Sequence, residues 1–478
     1  MSTRKARILL CAAAVAAAVA GGGPFASAAA ASQREVVFFD ATNLLLNPKT
    51  RAQTFKTLKH EGVTALRILL YWQYISPDWK SKRLPRRIDL EEPGSYNFVP
   101  YLQILEEAKR LGWTVLLTPT GPAPLWAVPG HRNGLFAPNS KLFGKFVTAA
   151  GKAFGRYVTY WGIWNEPNQL THLLPQWKPN GSPASPGIYR ALYLAAYHGL
   201  QKAGIAHPRV LFGELSPYGT SAINPKREGT YHSITPLAFL RSALCLNGHY
   251  RPVGRCAPLP MAGVAIHPYP QGAGPLYVPP NPDEVTLASI GRLKRAMDLA
   301  ARAHRMPAGV PIYITEYGIN TKPNPAGVTP QQQAEEVSLS EMMAWENGWI
   351  ASFAQYGLRD DRIPKHPSRL YTGFQTGLEY ANGRPKPLYF AFPVPLVVKR
   401  AGNGYALWGH IRPAHGPTTA TVLIKRTAHS RFTVLAHVHT GPLGYWTLRS
   451  RQGGVAWKVR WISPTGVRYE GPPTGISP

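Results

Sequence analysis

Two glutamates carry the chemistry that is legible in this chain. In Trp161-Gly162-Ile163-Trp164-Asn165-Glu166-Pro167-Asn168 an apolar run breaks off into an Asn-Glu pair, and the following proline holds Glu166 away from helical geometry. In Pro311-Ile312-Tyr313-Ile314-Thr315-Glu316-Tyr317-Gly318 a second apolar run ends in Glu316. A carboxyl group flanked by indole rings loses hydration, so its pKa climbs toward the value a general acid needs. Two such side chains across one cleft are the minimal equipment for breaking a glycosidic bond: one protonates the departing oxygen while the other attacks the anomeric carbon. That pair needs no metal and no organic cofactor. Carboxyl groups about 5–5.5 Å apart would signal retention at the anomeric carbon, and 6.5–9.5 Å inversion.

The two segments are far apart in sequence, so the fold must bring them together. From residue 35 onward, short apolar runs alternate with longer amphipathic stretches, the pattern of βα units. The runs are Val36 to Phe39, Ala65 to Leu70, Trp113 to Thr118, Tyr160 to Trp164, Val210 to Gly213, Gly263 to Ile266, Pro311 to Thr315 and Trp349 to Gln355. Eight is the number a closed parallel barrel requires. The stretches between them include Val99 to Gly112, Lys141 to Gly155, Ile188 to Gly204, Val285 to His304 and Gln331 to Gly348, several ending in the glycine favoured past a helix C-terminus. The fifth crossover, Thr235 to Cys245, is the weakest, and no comparable helix follows the last strand before Pro393. The expected fold is α/β: a (β/α)8 TIM barrel over residues 35–393, with Glu166 and Glu316 ending strands four and seven on its C-terminal rim. Past Pro395, β-branched runs separated by turn residues predict an antiparallel β-sandwich over 396–478. Its aromatic residues could bind sugar or pack against the barrel, and packing is the expectation.

A strand four ending in Asn-Glu-Pro and a strand seven ending in Glu resemble the pattern of the large clan of retaining (β/α)8 glycoside hydrolases, clan A, that contains cellulases, mannanases and β-xylosidases. The resemblance covers the barrel. It implies Glu166 as acid/base, Glu316 as nucleophile and Asn165 as a partner of the sugar 2-hydroxyl. Arg67, in Ala65-Leu66-Arg67-Ile68, matches the clan's strand-two arginine, whose charge keeps the nucleophile ionised. His267-Pro268-Tyr269 matches its His-x-Tyr, with the tyrosine hydroxyl bonding the nucleophile. Taken alone, Arg67 has a competing reading as a structural ion pair and His267 one as a satisfied polar residue. Glu214, ending strand five, is a third carboxylate with a substrate-positioning or structural role. Trp72 and Trp126, just beyond strands two and three, are the expected sugar-stacking rings. Tyr317 is a further candidate, while Trp161 and Trp164 fit barrel core as well as a sugar site. The chain departs from the clan at strand eight, which ends in Gln355-Tyr356 where many members carry a tryptophan.

The chain of 478 residues is 44% hydrophobic and 16% charged, which excludes a disordered protein or a small disulfide scaffold. Residues 1–28 read as an export signal: Arg4, Lys5 and Arg7, then the apolar stretch Ile8 to Ala20, then the small-residue site Ala26-Ser27-Ala28. The stretch is short for a bilayer span, and the expected product is secreted, with no transmembrane segment. Cys11 falls inside this leader. Cys245 and Cys256 flank a loop rich in Gly and Pro, and oxidising conditions favour a disulfide between them over two buried thiols. Loss of the three leader cations from 53 basic residues leaves 50 against 24 acidic ones, a formal charge of +26. Such a charge favours anionic cell-wall or extracellular polymers. The cations are dispersed and no nucleic-acid-binding motif accompanies them, so specific nucleic-acid recognition is not expected. The function expected is a secreted retaining glycosidase acting on β-linked oligo- or polysaccharide. The alternative is a non-catalytic carbohydrate- or cell-wall-binding protein on the same barrel.

Overall fold

A computed structural model describes residues 36–131, 133–270, 272–363, 373–414 and 416–478. The leader expected at 1–28 lies outside them. Eight strands form a closed parallel barrel in sequence order, with β8 pairing back onto β1: β1 Val36–Asp40, β2 Ala65–Tyr71, β3 Thr114–Thr120, β4 Tyr160–Gly162, β5 Val210–Leu215, β6 Gly263–Ile266, β7 Ile312–Ile314 and β8 Ile350–Tyr356. β2 to β7 are buried almost throughout, as expected of strands covered on both faces.

The outer layer includes helices Pro48–His60, Val99–Arg110, Ser140–Phe154, Ser185–Lys202, Pro236–Ala243, Gly291–Arg302 and Pro330–Trp345. Local sequence sets their starts. Asn139 accepts a hydrogen bond from the backbone of Leu142, and Thr329 and Gln332 form a reciprocal capping box. Among the described residues after β8, the one helix before the chain leaves the barrel is the five-residue Pro387–Ala391. Cys245 and Cys256 are joined by a disulfide across a loop between Pro236–Ala243 and β6.

The C-terminal region is a sandwich of two antiparallel sheets. One holds β9 Leu396–Ala401, β10 Gly404–His410 and β13 Tyr445–Ser450; the other holds β11 Thr419–Lys425, β12 Thr433–His439, β14 Ala456–Ile462 and β15 Arg468–Glu470. Leu396, Val397 and Val398 are a continuous buried triplet, without the alternation that marks a half-exposed strand. Val398, Leu407, Val422, Ile424, Trp457 and Val459 fill one core between the sheets. The aromatics of this region pack rather than face solvent: Trp408 and Tyr445 join Trp345 of the barrel in a shared apolar cluster.

A buried charge cluster completes that junction. Glu341, on helix Pro330–Trp345, accepts from Arg412 at 2.6 Å and lies 3.1 Å from the His410 imidazole. Burial pushes its carboxyl pKa up, but Arg412 and His410 outweigh that and hold it below the ordinary glutamate value. The E341Q variant leaves Arg412 buried without its counter-charge, and is expected to lose about 3–5 kcal/mol of unfolding free energy at neutral pH. Urea titration reads this as a lower midpoint. The wild-type advantage persists above the ordinary glutamate pKa and fades as pH falls through the lowered folded value. A midpoint unchanged at pH 7 would refute the role given to this cluster.

Candidate active site

The site is built where strands stop. β4 ends at Gly162 and β7 at Ile314, so the residues that follow are released from the ladder at the barrel's C-terminal rim. Three side-chain-bearing residues there lie in the left-handed region: Trp164 at φ 62°, Glu166 at φ 42° and Glu214 at φ 51°. Such backbone costs of order 1–3 kcal/mol per residue and persists where surroundings impose it. Here they do. Trp164 N donates to Pro119 O, Asn165 N to Thr120 Oγ1 and Glu166 N to Glu214 O, which stitches the β4 terminus between its neighbours. Gly162 is required by the same crowding, because a Cβ there would lie 2.3 Å from Thr118 Oγ1 and 2.8 Å from Glu214 Oε2.

Arg67 stands fully buried at the centre. Its Nε donates to Glu214 Oε1 at 2.8 Å, its Nη1 to Asp40 Oδ2 at 2.7 Å and to Glu316 Oε1 at 2.5 Å, and its Nη2 to Asn165 Oδ1 at 2.6 Å. With its oxygen so engaged, Asn165 has its amide nitrogen left to donate. The Tyr269 hydroxyl donates to Glu316 Oε2 at 3.0 Å, and burial pushes its pKa well up, keeping it a donor. The Tyr269 ring stacks on Tyr317, whose hydroxyl is paired with Ser340.

Glu166 has different company. Its Oε1 lies 2.9 Å from His267 Nδ1, while His267 Nε2 lies 3.1 Å from Thr315 Oγ1. Burial lowers the His267 pKa to about 4, so the ring is neutral near physiological pH. The other oxygen faces His172 Nδ1 at 3.7 Å, and the carbonyl of His172 accepts from Trp164 Nε1. Burial raises both glutamate pKa values; His172 and Arg67 oppose this at Glu166, His267 and Arg67 at Glu316. Ligand atoms of Glu166, His267 and Glu316 all lie within 4.8 Å of one another. That spacing suits a small cation, but the guanidinium on Glu316 already supplies the local positive charge.

Thus Glu166, Glu316, Arg67, Asn165, His267 and Tyr269 converge on one mouth. Glu214 is wholly buried on Arg67, which makes it structural and leaves it unable to touch a substrate. Trp72 and Trp126 require correction. Trp72 is 0% exposed, stacked on Phe146 and set edge-on to Trp126, which is itself 6% exposed and donates to Pro77 O. Trp72 packs against Phe143 and Phe146 of helix Ser140–Phe154 and Trp126 packs against Trp72, so neither ring presents a face to a ligand. Trp161, Trp164 and Tyr317 are likewise buried. The rings at the mouth come from loops: a pocket of about 210 Å³ is lined by Glu166, Tyr218, Tyr269, Asn320 and Phe374 among others. At the end of β8, where the clan's tryptophan was lacking, Tyr356 packs on Phe374 with ring centres 4.8 Å apart. Asp40, absent from the sequence reading, had a signal after all: it ends the apolar run of β1 as Glu316 follows that of β7. Tyr218 and Phe374 had none beyond their place in long loops.

No protein-family model and no curated protein matches the sequence. Solved structures do resemble the fold. A glucosidase from Croceicoccus marinus superposes with a TM-score of 0.51 at 11% identity, covering 87% of this chain and 93% of its own. The GH39 enzyme from Xanthomonas axonopodis pv. citri gives 0.48 at 14% identity, covering 87% and 92%, and a GH39 β-xylosidase from Caulobacter crescentus 0.46 at 15%, covering 82% and 81%. At these identities the likeness is one of fold alone.

The environment of His267 makes a direct prediction. Nitrogen NMR of labelled protein should show the ring neutral down to about pH 4. Because this folded pKa is depressed, the group's contribution to stability is complete above the unfolded value near 6.5 and is lost as pH falls from there toward 4. A ring that titrates near 6.5 would contradict the buried, neutral imidazole placed against Glu166.

Proposed function

We propose that this protein is a secreted retaining glycoside hydrolase that cleaves β-glycosidic bonds of an oligo- or polysaccharide by double displacement. The observation that carries the proposal is a pair of carboxylates with oxygens within 4.8 Å across one mouth and with unlike surroundings. This spacing favours direct attack by one carboxylate over attack by an interposed water. Since two buried acids so close do not ionise independently, the first proton is lost where the anion is better stabilised. Glu316 receives a guanidinium and a phenol donor, both of which favour its anion. Glu166 faces two imidazoles whose pKa values burial lowers, His267 at 2.9 Å and His172 at 3.7 Å, and among the described residues no guanidinium or ammonium group touches it.

In this reading Glu316 attacks the anomeric carbon while Glu166 hands its proton to the departing oxygen. The resulting glycosyl-enzyme is then opened by water, from which Glu166 takes a proton back. The free amide hydrogen of Asn165 is placed to hold the sugar 2-hydroxyl. Tyr218 and Phe374 offer apolar faces to sugar rings. Export is supported by the leader-like residues 1–28 and by the Cys245–Cys256 disulfide.

The test is azide rescue after a hydrolysis screen on aryl β-glycosides. E316G should lose roughly 10³-fold or more in kcat and, with azide, yield the α-glycosyl azide by direct displacement. E166A should instead yield the β-glycosyl azide, formed by attack on the glycosyl-enzyme, and should lose the alkaline limb of the pH–rate profile, which in wild type lies above the ordinary glutamate pKa because Glu166 is buried. Exchanged products would reverse the two roles. Carbohydrate binding without turnover across the screen would make the protein a binder.

A further inference from the structure

A second surface, remote from the rim, is built to hold a charged chain. Helices Pro48–His60 and Val99–Arg110 flank a cavity of about 660 Å³, which adjoins one of about 930 Å³ at the junction with the sandwich; Lys56, Lys59, Arg110 and Leu111 line both. The trough has an apolar floor, where the Phe55 and Trp113 rings meet at 5.7 Å. Its sides carry Arg51, Lys56, Lys59 and Arg110 against a single acid, Glu107, which is spent on Arg110. Lys56 and Lys59 are exposed and form no ion pair among the described residues. Arg51 is fixed by neutral acceptors alone, the carbonyls of Leu45 and Leu46 and the Gln103 amide, so its orientation is set while its charge is uncompensated. Lys59 and His60 also oppose the dipole at their helix C-terminus, but Arg51 and Lys56 lie too far upstream for that service. The sandwich adds the hydroxyl groups of Thr418, Ser463 and Thr465 to the far wall.

We propose that this trough binds an anionic polysaccharide and anchors the protein on it. The chemistry favours a sugar chain over a nucleic acid: Trp113 and Trp461 are only 9% and 3% exposed, so no ring face is open for base stacking, whereas hydroxyl groups line one wall. The trough reaches Gly62–Thr64 and Gly112–Trp113, the segments entering β2 and β3. It therefore lies at the opposite end of those strands from Glu166 and Glu316, and a bound polymer leaves the mouth free. The excess of basic residues in the whole chain draws such a polymer in, and the trough gives it a place to sit.

The test compares two charge reversals of equal size in the mature protein: K56E/K59E in the trough, and R295E/R302E on helix Gly291–Arg302 across the barrel. Binding to polygalacturonate is measured over a series of salt concentrations, with neutral dextran and double-stranded DNA as comparison ligands. The proposal expects K56E/K59E to weaken polygalacturonate binding at least tenfold and to flatten its salt dependence, with R295E/R302E close to wild type. Circular dichroism and thermal melting of both variants confirm that they are folded. Equal losses in both variants would overturn the proposal in favour of diffuse attraction. Tighter binding to DNA than to polygalacturonate would overturn it in favour of a nucleic-acid surface. These readouts measure binding alone, so they stand whatever the azide experiment shows.

Discussion

One buried guanidinium organises this molecule. Arg67 reaches Asp40 at the end of β1, Glu214 in β5, Glu316 after β7 and Asn165 after β4 while sitting in β2 itself. Desolvating a lone cation costs several kcal/mol, and desolvating three carboxylates costs more, so neither set is tolerable without the other. The geometry of the cluster is therefore mutually enforced. The side chains at four strand ends are positioned by one planar fork, whose directional donors hold partners in fixed places as a lysine could not.

The difference in surroundings between the two glutamates follows from that fork. A closed barrel delivers both carboxyls to one rim, and burial pushes both toward protonation. Symmetry is broken by reach: the fork touches Glu316 and not Glu166, which is met by a neutral imidazole held by Thr315. Neutrality of His267 is essential to this, because an imidazolium against Glu166 would favour the anion there too. Burial of His267 thus denies Glu166 a cation. The left-handed backbone at Trp164, Glu166 and Glu214 reflects the same demand, with chain conformation giving way to side-chain placement.

Much of this was legible before coordinates. The eight apolar runs lie within a few residues of the eight strands, because parallel strands buried on both faces must be continuously apolar and their ends are marked by the first polar residue. The same rule pointed to Glu166, Glu316 and Glu214, and Arg67 stood out as a cation within an apolar run. Trp72 and Trp126 show where such reasoning fails. Position just beyond a strand says that a residue is near the rim, but not whether its segment turns toward the mouth or folds back on the outer helices. For Trp72 that choice was made by Phe143 and Phe146, on a helix distant in sequence, and Trp126 packs edge-on to Trp72. For Phe374 and Tyr218 the difficulty is similar: a long loop has no periodicity, so which of its rings meets the pocket depends on contacts that only the folded chain creates.

The 11% identity to the Croceicoccus marinus glucosidase is physically reasonable on these terms. A strand-end position is defined by the closed sheet, and any sequence that keeps eight buried strands reproduces it, whatever the packing residues are. The constraints this rim does impose are local: an arginine in β2 with acids around it, a glycine at 162 where a side chain would strike Thr118 and Glu214, and a neutral imidazole beside Glu166. The sandwich is under a different constraint. It packs on helix Pro330–Trp345 and on the end of helix Pro48–His60, so its attachment need not disturb the rim at all. An extra domain placed there can change what the protein adheres to without altering the pocket, because the two surfaces share no strand end.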